Sequence, residues 1–218
     1  NYITGKYGKL PIERDIDATL DAWQSNGSTA AKVKMATSEN FQVKAIPVAP
    51  VIEEGYYLVG DMFNVKDVDD VLVFDGWNNV SAKQAFKHSD KDVYDDPFFT
   101  LTFETTKADQ YWKIIPKKNV DAGTIWAAGV VGPKENGSES MTGLLTSDNP
   151  GAGKIAEPGK YKLTLNMMDY SYTIEPVNYD PFIYFIGSTD AWSSSDQKLA
   201  LVDEDKGTYT GYVYIADP

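Results

Sequence analysis

The sequence has no cysteine and a single histidine, His88. Without thiols there is no disulfide framework and no thiolate metal site, although the redox compartment stays open, since exported bacterial proteins also lack cysteine. A catalytic triad or a zinc site needs partners at defined positions, and a lone histidine has none of its own kind to work with. His88 therefore reads as a surface-loop residue. Positive charge is also scarce, with 20 Lys and Arg against 32 Asp and Glu and a net charge of -12. Nucleic acid and anionic membrane surfaces would be repelled, whereas a neutral ligand would not respond to the charge. No run of ~18 apolar residues is present, so no transmembrane helix is expected. The first residues carry no signal-peptide pattern. Because the chain starts at Asn1 without methionine, it is expected to be a mature, trimmed or partial product.

Acidic residues are plentiful, but abundance is not a site. Paired carboxylates for glycoside hydrolysis call for an acid held in apolar surroundings, and no acidic residue lies inside an apolar run. Asp67, Asp69, Asp70 and Asp75, or Asp90, Asp92, Asp95 and Asp96, could offer oxygen ligands to calcium. Neither run has the spacing of an EF-hand loop, so both read as solvated acidic loops. No catalytic residue, metal or cofactor is expected.

What the chain does have is aromatic residues, 13% of the total and 14 of them tyrosine, with hydrophobic residues at 42%, enough for real cores. That balance favours β-structure and recognition of sugar-like ligands. The apolar run Tyr56-Tyr57-Leu58-Val59 ends on Gly60, and the loop after it delivers Trp77. The pattern returns at Ile183-Tyr184-Phe185-Ile186-Gly187, whose following loop delivers Trp192. A strand ending on glycine and followed by a presented tryptophan, twice in one chain, points to tandem copies of one module.

Phe99, Leu101 and Phe103 alternate with Thr100, Thr102 and Glu104, the clearest half-buried strand. Tyr111 to Ile115 is the next, with Trp112 and Ile114 on a buried face and Lys113 opposite. Tyr161, Leu163, Leu165 and Met167 alternate with polar residues, turn near Met168-Asp169, and return over Tyr170 to Glu175 as a hairpin. Gly123 to Gly153 is rich in turn-forming residues and reads as long loops holding Trp126. Earlier, Ile16, Leu20 and Trp23 have the spacing of a short amphipathic helix with Trp23 in the core, followed by strands over Ala31 to Met35 and Phe41 to Ile46. Pro47 to Pro50 reads as a stiff linker. Overlaying Trp192 on Trp77 places Tyr209 to Ile215 on Pro97 to Phe103. The chain is thus expected to be all-β, with tandem β-sandwich modules. Residues 1–49 are expected to be the end of one domain, 50–178 a complete module, and 179–218 the start of a second, similar one.

In order, YYLVGDMFN, a loop tryptophan, a Phe-rich strand, YWKIIP, GTIWAAG and GKYKLTLNMMDYSYTIEPVN resemble the SusE/SusF-type starch-binding outer-membrane lipoproteins of Bacteroidetes. IDATLDAWQSNGSTAAKVKM with ENFQVKAIPVAP resembles the end of that family's N-terminal immunoglobulin-like domain. The resemblance implies a non-catalytic protein that holds α-glucan or a related polysaccharide on a shallow surface. Two aromatic rings would stack on sugar faces while a basic side chain bonds the hydroxyls. Trp77, Lys113 and Trp126 match those roles, with Trp192 from the second copy. It also implies SusC/SusD-like importer components as partners, at the cell surface, with membrane attachment only through an N-terminal lipid anchor not found in this chain. The competing expectation is a structural or assembly subunit of a surface complex whose tryptophans are buried.

Overall fold

A computed structural model describes residues 2–27, 32–187, 197–203 and 207–213. The chain divides into two compact units, Asn1–Ile52 with Lys91–Asp96, and Glu53–Asp90 with Pro97–Pro218.

In the first unit a short helix, α1 (Tyr2–Tyr7), precedes four strands: β1 (Arg14–Ala18), β2 (Asp21–Ser25), β3 (Lys32–Thr37) and β4 (Phe41–Ala45). β1 pairs antiparallel with β4, and β2 with β3. The expected helix over Ile16 to Trp23 does not form; the segment is two strands. Ile16 and Ala18 share one strand face at a period of two, Ile16 opposite Val43 and Ala18 opposite Phe41. The non-local ladder overrides the short helical spacing of Ile16, Leu20 and Trp23. The corner is tied when Leu20 N–H donates to Ser38 Oγ and Ser38 N–H donates back to the Leu20 carbonyl, both at 2.8 Å. Trp23, expected in the core, is 53% exposed and carries the Lys34 ammonium 5.9 Å from its ring centroid.

The second unit opens with β5 (Tyr56–Gly60) and a 3₁₀ turn, Asp61–Phe63, then the small hairpin β6 (Val65–Lys66) and β7 (Leu72–Phe74). Next come β8 (Phe98–Thr105), β9 (Gln110–Pro116), a five-residue helix α2 (Lys117–Asp121), β10 (Gly132–Pro133), β11 (Thr142–Thr146), β12 (Gly153–Ile155), β13 (Gly159–Asn166) and β14 (Ser171–Pro176). They build a five-stranded sheet in the order β10-β11-β14-β13-β8 and a three-stranded sheet in the order β12-β9-β5. The alternation seen in the sequence becomes register: Leu101 opposes Leu163 and Phe103 opposes Tyr161 across β8 and β13. Inward side chains of both sheets meet in a sandwich core. Tyr56 meets Phe99 edge-on at 4.9 Å, and Trp112 meets Tyr172 edge-on at 5.4 Å. Trp112 and Ile114 are buried as expected. A Cβ on Gly153 would run into the Trp112 ring, so only glycine lets the indole lie on β12.

His88 is half-buried rather than a free surface residue, stacked on buried Phe99 at 4.4 Å. The 123–153 region contains β10, β11 and the first residue of β12 rather than loops alone. Beyond β14, β15 (Phe182–Tyr184), β16 (Lys198–Asp203) and β17 (Thr208–Thr210) form a three-stranded sheet. β16 has no counterpart among the expected strands, and the strand expected over Tyr209 to Ile215 appears within the described residues only as β17. Trp192 lies outside the described residues.

Candidate functional site

The inner face of β9 belongs to the core; its outer face carries the candidate site. Lys113 and Ile115 point outward, with Lys113 directly opposite Val59 of β5. Val59, Ile115 and Val130 form a second buried apolar cluster there, covered by partly buried Trp77, Val80, Val120 and Ile125. Two segments therefore cap this face, the turn bearing Trp77 and the stretch after α2 that bears Trp126.

The first segment is closed at its root. Gly60 N–H donates to the Gly76 carbonyl at 3.1 Å, and a Cβ on Gly76 would stand 2.5 Å from the Gly60 carbonyl. The loop between them, with its β6–β7 hairpin, is pinched off from the sheet. Trp77 consequently lands beside the end of β5 despite the long excursion before it.

The second segment is held from below by Asn119, which is 3% exposed. Its side-chain amide donates to the Ala127 carbonyl at 3.0 Å and to that of Ile125 at 3.3 Å, while the Asn119 main-chain carbonyl accepts from Thr124 N–H at 2.9 Å. A buried amide that satisfies several main-chain acceptors fixes an irregular loop as a ladder fixes a strand.

The rings of Trp77 and Trp126 lie 6.2 Å apart between centroids, with planes 29° from parallel. That separation exceeds the ~3.5–4 Å of direct face-to-face contact, so the rings are offset and neither covers the other. Trp126 is 47% exposed and Trp77 half-buried. Both indole N–H groups are bound within the protein. Trp77 Nε1 donates to Asp61 Oδ1 at 2.7 Å, and the other oxygen of Asp61 accepts from Tyr111 N–H at 2.9 Å. Trp126 Nε1 donates to Asn78 Oδ1 at 2.8 Å. Asn78 Nδ2 donates to Asp75 Oδ2 at 2.7 Å, and Asp75 Oδ1 accepts from Trp77 N–H at 2.9 Å. Donation from the Asn78 amide and the Trp77 main chain holds the Asp75 carboxyl below the ordinary carboxylate range. An open depression of about 490 Å³, lined by Asn78, Gly123, Thr124, Ile125, Trp126 and Ala127, lies beside the rings. Lys113 is half-buried on the same sheet face and donates from Nζ to the Pro150 carbonyl at 2.8 Å.

A family model described as "SusF, first starch specific CBM" (carbohydrate-binding module) matches residues 51–176. The chain belongs to that family. Among curated relatives, "Outer membrane protein SusF" of Bacteroides thetaiotaomicron is 24% identical over 231 aligned residues, covering 95% of this chain and 44% of the relative. The chain thus spans less than half of that protein's length. A crystal structure of SusF from Bacteroides thetaiotaomicron aligns over 92% of this chain and 42% of its own, with a TM-score of 0.46 and 21% identity.

In this SusF-type module the structure brings Trp77 and Trp126 together and sets Lys113 on the same face. Sequence reasoning missed Asp61, Asn78, Thr124 and Asn119, and it read Asp75 only as one of several loop acids. Asp75-Gly76-Trp77-Asn78 has the composition of an Asx-turn, but so does the Asp67 turn, where Asp69 N–H donates to Asp67 Oδ1, so the local pattern does not single out Asp75. Elsewhere in that acidic run, Asp67 Oδ1 accepts from Asp69 and Val71 N–H, and Asp70 pairs with Lys66 at 2.9 Å. Among the described residues, no cluster of three or more His, Asp or Glu is arranged to hold a metal ion.

Proposed function

We propose that the Trp77–Trp126 pair is a sugar-stacking platform and that the protein holds an α-glucan chain without acting on it chemically. The supporting observation is the pair itself, two offset indoles tilted by 29° with both N–H groups turned into the protein. What remains for a ligand is aromatic surface, which suits the C–H face of a pyranose. Rings already clamped lose little freedom on binding, so more of the stacking energy appears as affinity. The tilt favours a curved chain: successive faces of an α-1,4-glucan turn progressively, whereas a β-1,4-glucan is a flat ribbon that calls for coplanar rings. Lys113, Thr124 and the rim of the depression would supply polar contacts to hydroxyls. Trp192 is proposed for an equivalent role in the second copy, residues 179–218. Residues 1–49 are proposed as the end of an immunoglobulin-like domain and 50–178 as the binding module.

By analogy with the SusF relative, we place the protein at the outer membrane, lipid-anchored and facing outward, next to SusC/SusD-like importer components. A purely structural subunit would be expected to bury both tryptophans, and the 47% exposure of Trp126 argues for a binding surface instead. Calorimetric titration with maltoheptaose, amylose, pullulan, levan and mannan tests the proposal. The α-glucans should bind, and Trp126→Ala should weaken them by ~1–3 kcal/mol, the scale of one lost aromatic anchor. Unaltered affinity in that variant for every glycan retained would remove Trp126 from the site.

A further inference from the structure

The contacts between the two tryptophans have a polarity that one residue determines. A carboxylate can only accept hydrogen bonds and an indole N–H can only donate, while an asparagine amide does both, from opposite atoms. Asn78 sits between these two kinds of group. Its Nδ2 faces Asp75 Oδ2 at 2.7 Å, which turns its Oδ1 to Trp126 Nε1 at 2.8 Å. The second oxygen of the same carboxylate accepts Trp77 N–H at 2.9 Å, so the backbone carrying one ring and the edge of the other ring rest on a single side chain. The turn itself has separate support, since Asn78 and Asn79 N–H both donate to the Asp75 main-chain carbonyl, at 3.2 and 2.8 Å.

We infer that Asp75 is a positioning residue that orients Trp126 relative to Trp77 through Asn78, touching no ligand itself. Aspartate rather than asparagine is required for this, although asparagine forms the same turn equally well. An amide at position 75 could present NH₂ to Asn78, reverse the Asn78 amide, and leave its NH₂ facing the Trp126 N–H, donor against donor. The relay would lose its direction while the fold and turn persist.

Asp75→Asn is therefore the discriminating variant, because a role confined to the turn predicts no effect. Two indoles this close give a coupled circular-dichroism signal in the ultraviolet, which Trp126→Phe abolishes and so calibrates without any ligand. The expected result for Asp75→Asn is a diminished couplet with an unchanged thermal midpoint, and a Kd for maltoheptaose about tenfold weaker, the scale of one misplaced hydrogen-bond pair. Asn78→Ala, at an exposed side chain, should show the same losses, and the double variant should be no worse than either single one. The affinity arm rests on the proposed glycan reading, whereas the couplet does not. A diminished couplet in a protein that binds no maltoheptaose would keep the positioning role and reject the glycan. A wild-type couplet in both single variants would overturn the inference, and so would weakened binding with the couplet intact, which would make Asp75 a direct ligand contact.

Discussion

The two faces of the β9 sheet use tryptophan in opposite ways. On the inner face Trp112 is 1% exposed, laid on Gly153 and edge-on to Tyr172, and its Nε1 has no hydrogen-bond partner among the described residues. On the outer face Trp126 is 47% exposed, with its Nε1 bonded to Asn78. In the core, close packing alone restricts the ring to one pose, and the unmade hydrogen bond is a cost that burial of a large apolar surface outweighs. On the surface, packing covers only part of the ring and leaves its plane free to swing, so a polar handle must set it. Hydrogen bonding at the platform is thus a device for orientation more than for stability.

That contrast fails first at its most heavily loaded point. Trp112→Ala should destabilise the second unit by ~3–5 kcal/mol, the range for deleting a buried aromatic, and shift its denaturant midpoint accordingly. Trp126→Ala should move the midpoint by no more than ~0.5 kcal/mol, as for other surface changes away from caps and cores. Comparable midpoint shifts in the two variants would erase the distinction between the faces.

Asp61 is where the two faces meet, because one oxygen holds the Trp77 indole and the other the main chain of β9 at Tyr111. Asparagine there keeps the shape but has one acceptor oxygen for two donors. Asp61→Asn should cost ~1–3 kcal/mol of stability for the donor left unsatisfied, and should also weaken maltoheptaose through Trp77. Chemical denaturation paired with calorimetry would show both. A loss of affinity with full stability would assign Asp61 to the platform alone.

The core face could be read from the chain because its evidence is local and periodic. Phe99, Leu101 and Phe103, then Tyr161 to Met167, alternate over enough residues for a strand to be the only fitting element. Where the periodicity is short it misleads: Ile16, Leu20 and Trp23 fit a helix, and only the ladder to Phe41 and Val43 decides otherwise. The outer face was legible one ring at a time. Trp77 and Trp126 stand out in turn-rich contexts, but their pairing depends on a loop pinched between Gly60 and Gly76 and on a buried Asn119, contacts made across long stretches of chain. Asp75 shows the limit most plainly. Within a run of acidic residues nothing local separates a carboxylate that orients a site from Asp67, which serves only its own turn, or Asp70, which pairs with Lys66.

Lys113 tests the smallest part of the comparison. It shares the strand with Trp112 and Ile114 yet points outward, and its ammonium is spent in part on the Pro150 carbonyl at 2.8 Å. An ammonium has three donors, so two remain for sugar hydroxyls. Lys113→Ala should leave stability within ~0.5 kcal/mol of wild type and reduce maltoheptaose affinity by ~0.5–1.5 kcal/mol, the net worth of one hydrogen bond. Because the sugar is neutral, the affinity of the unaltered protein should barely change with salt, although the net charge is -12. Titrations of wild type and variant at two ionic strengths would measure both. If Lys113→Ala binds as tightly as wild type while Trp126→Ala does not, the hydroxyl contacts on this face belong to the Thr124 side of the depression, and the outer face of β9 serves only to support the rings.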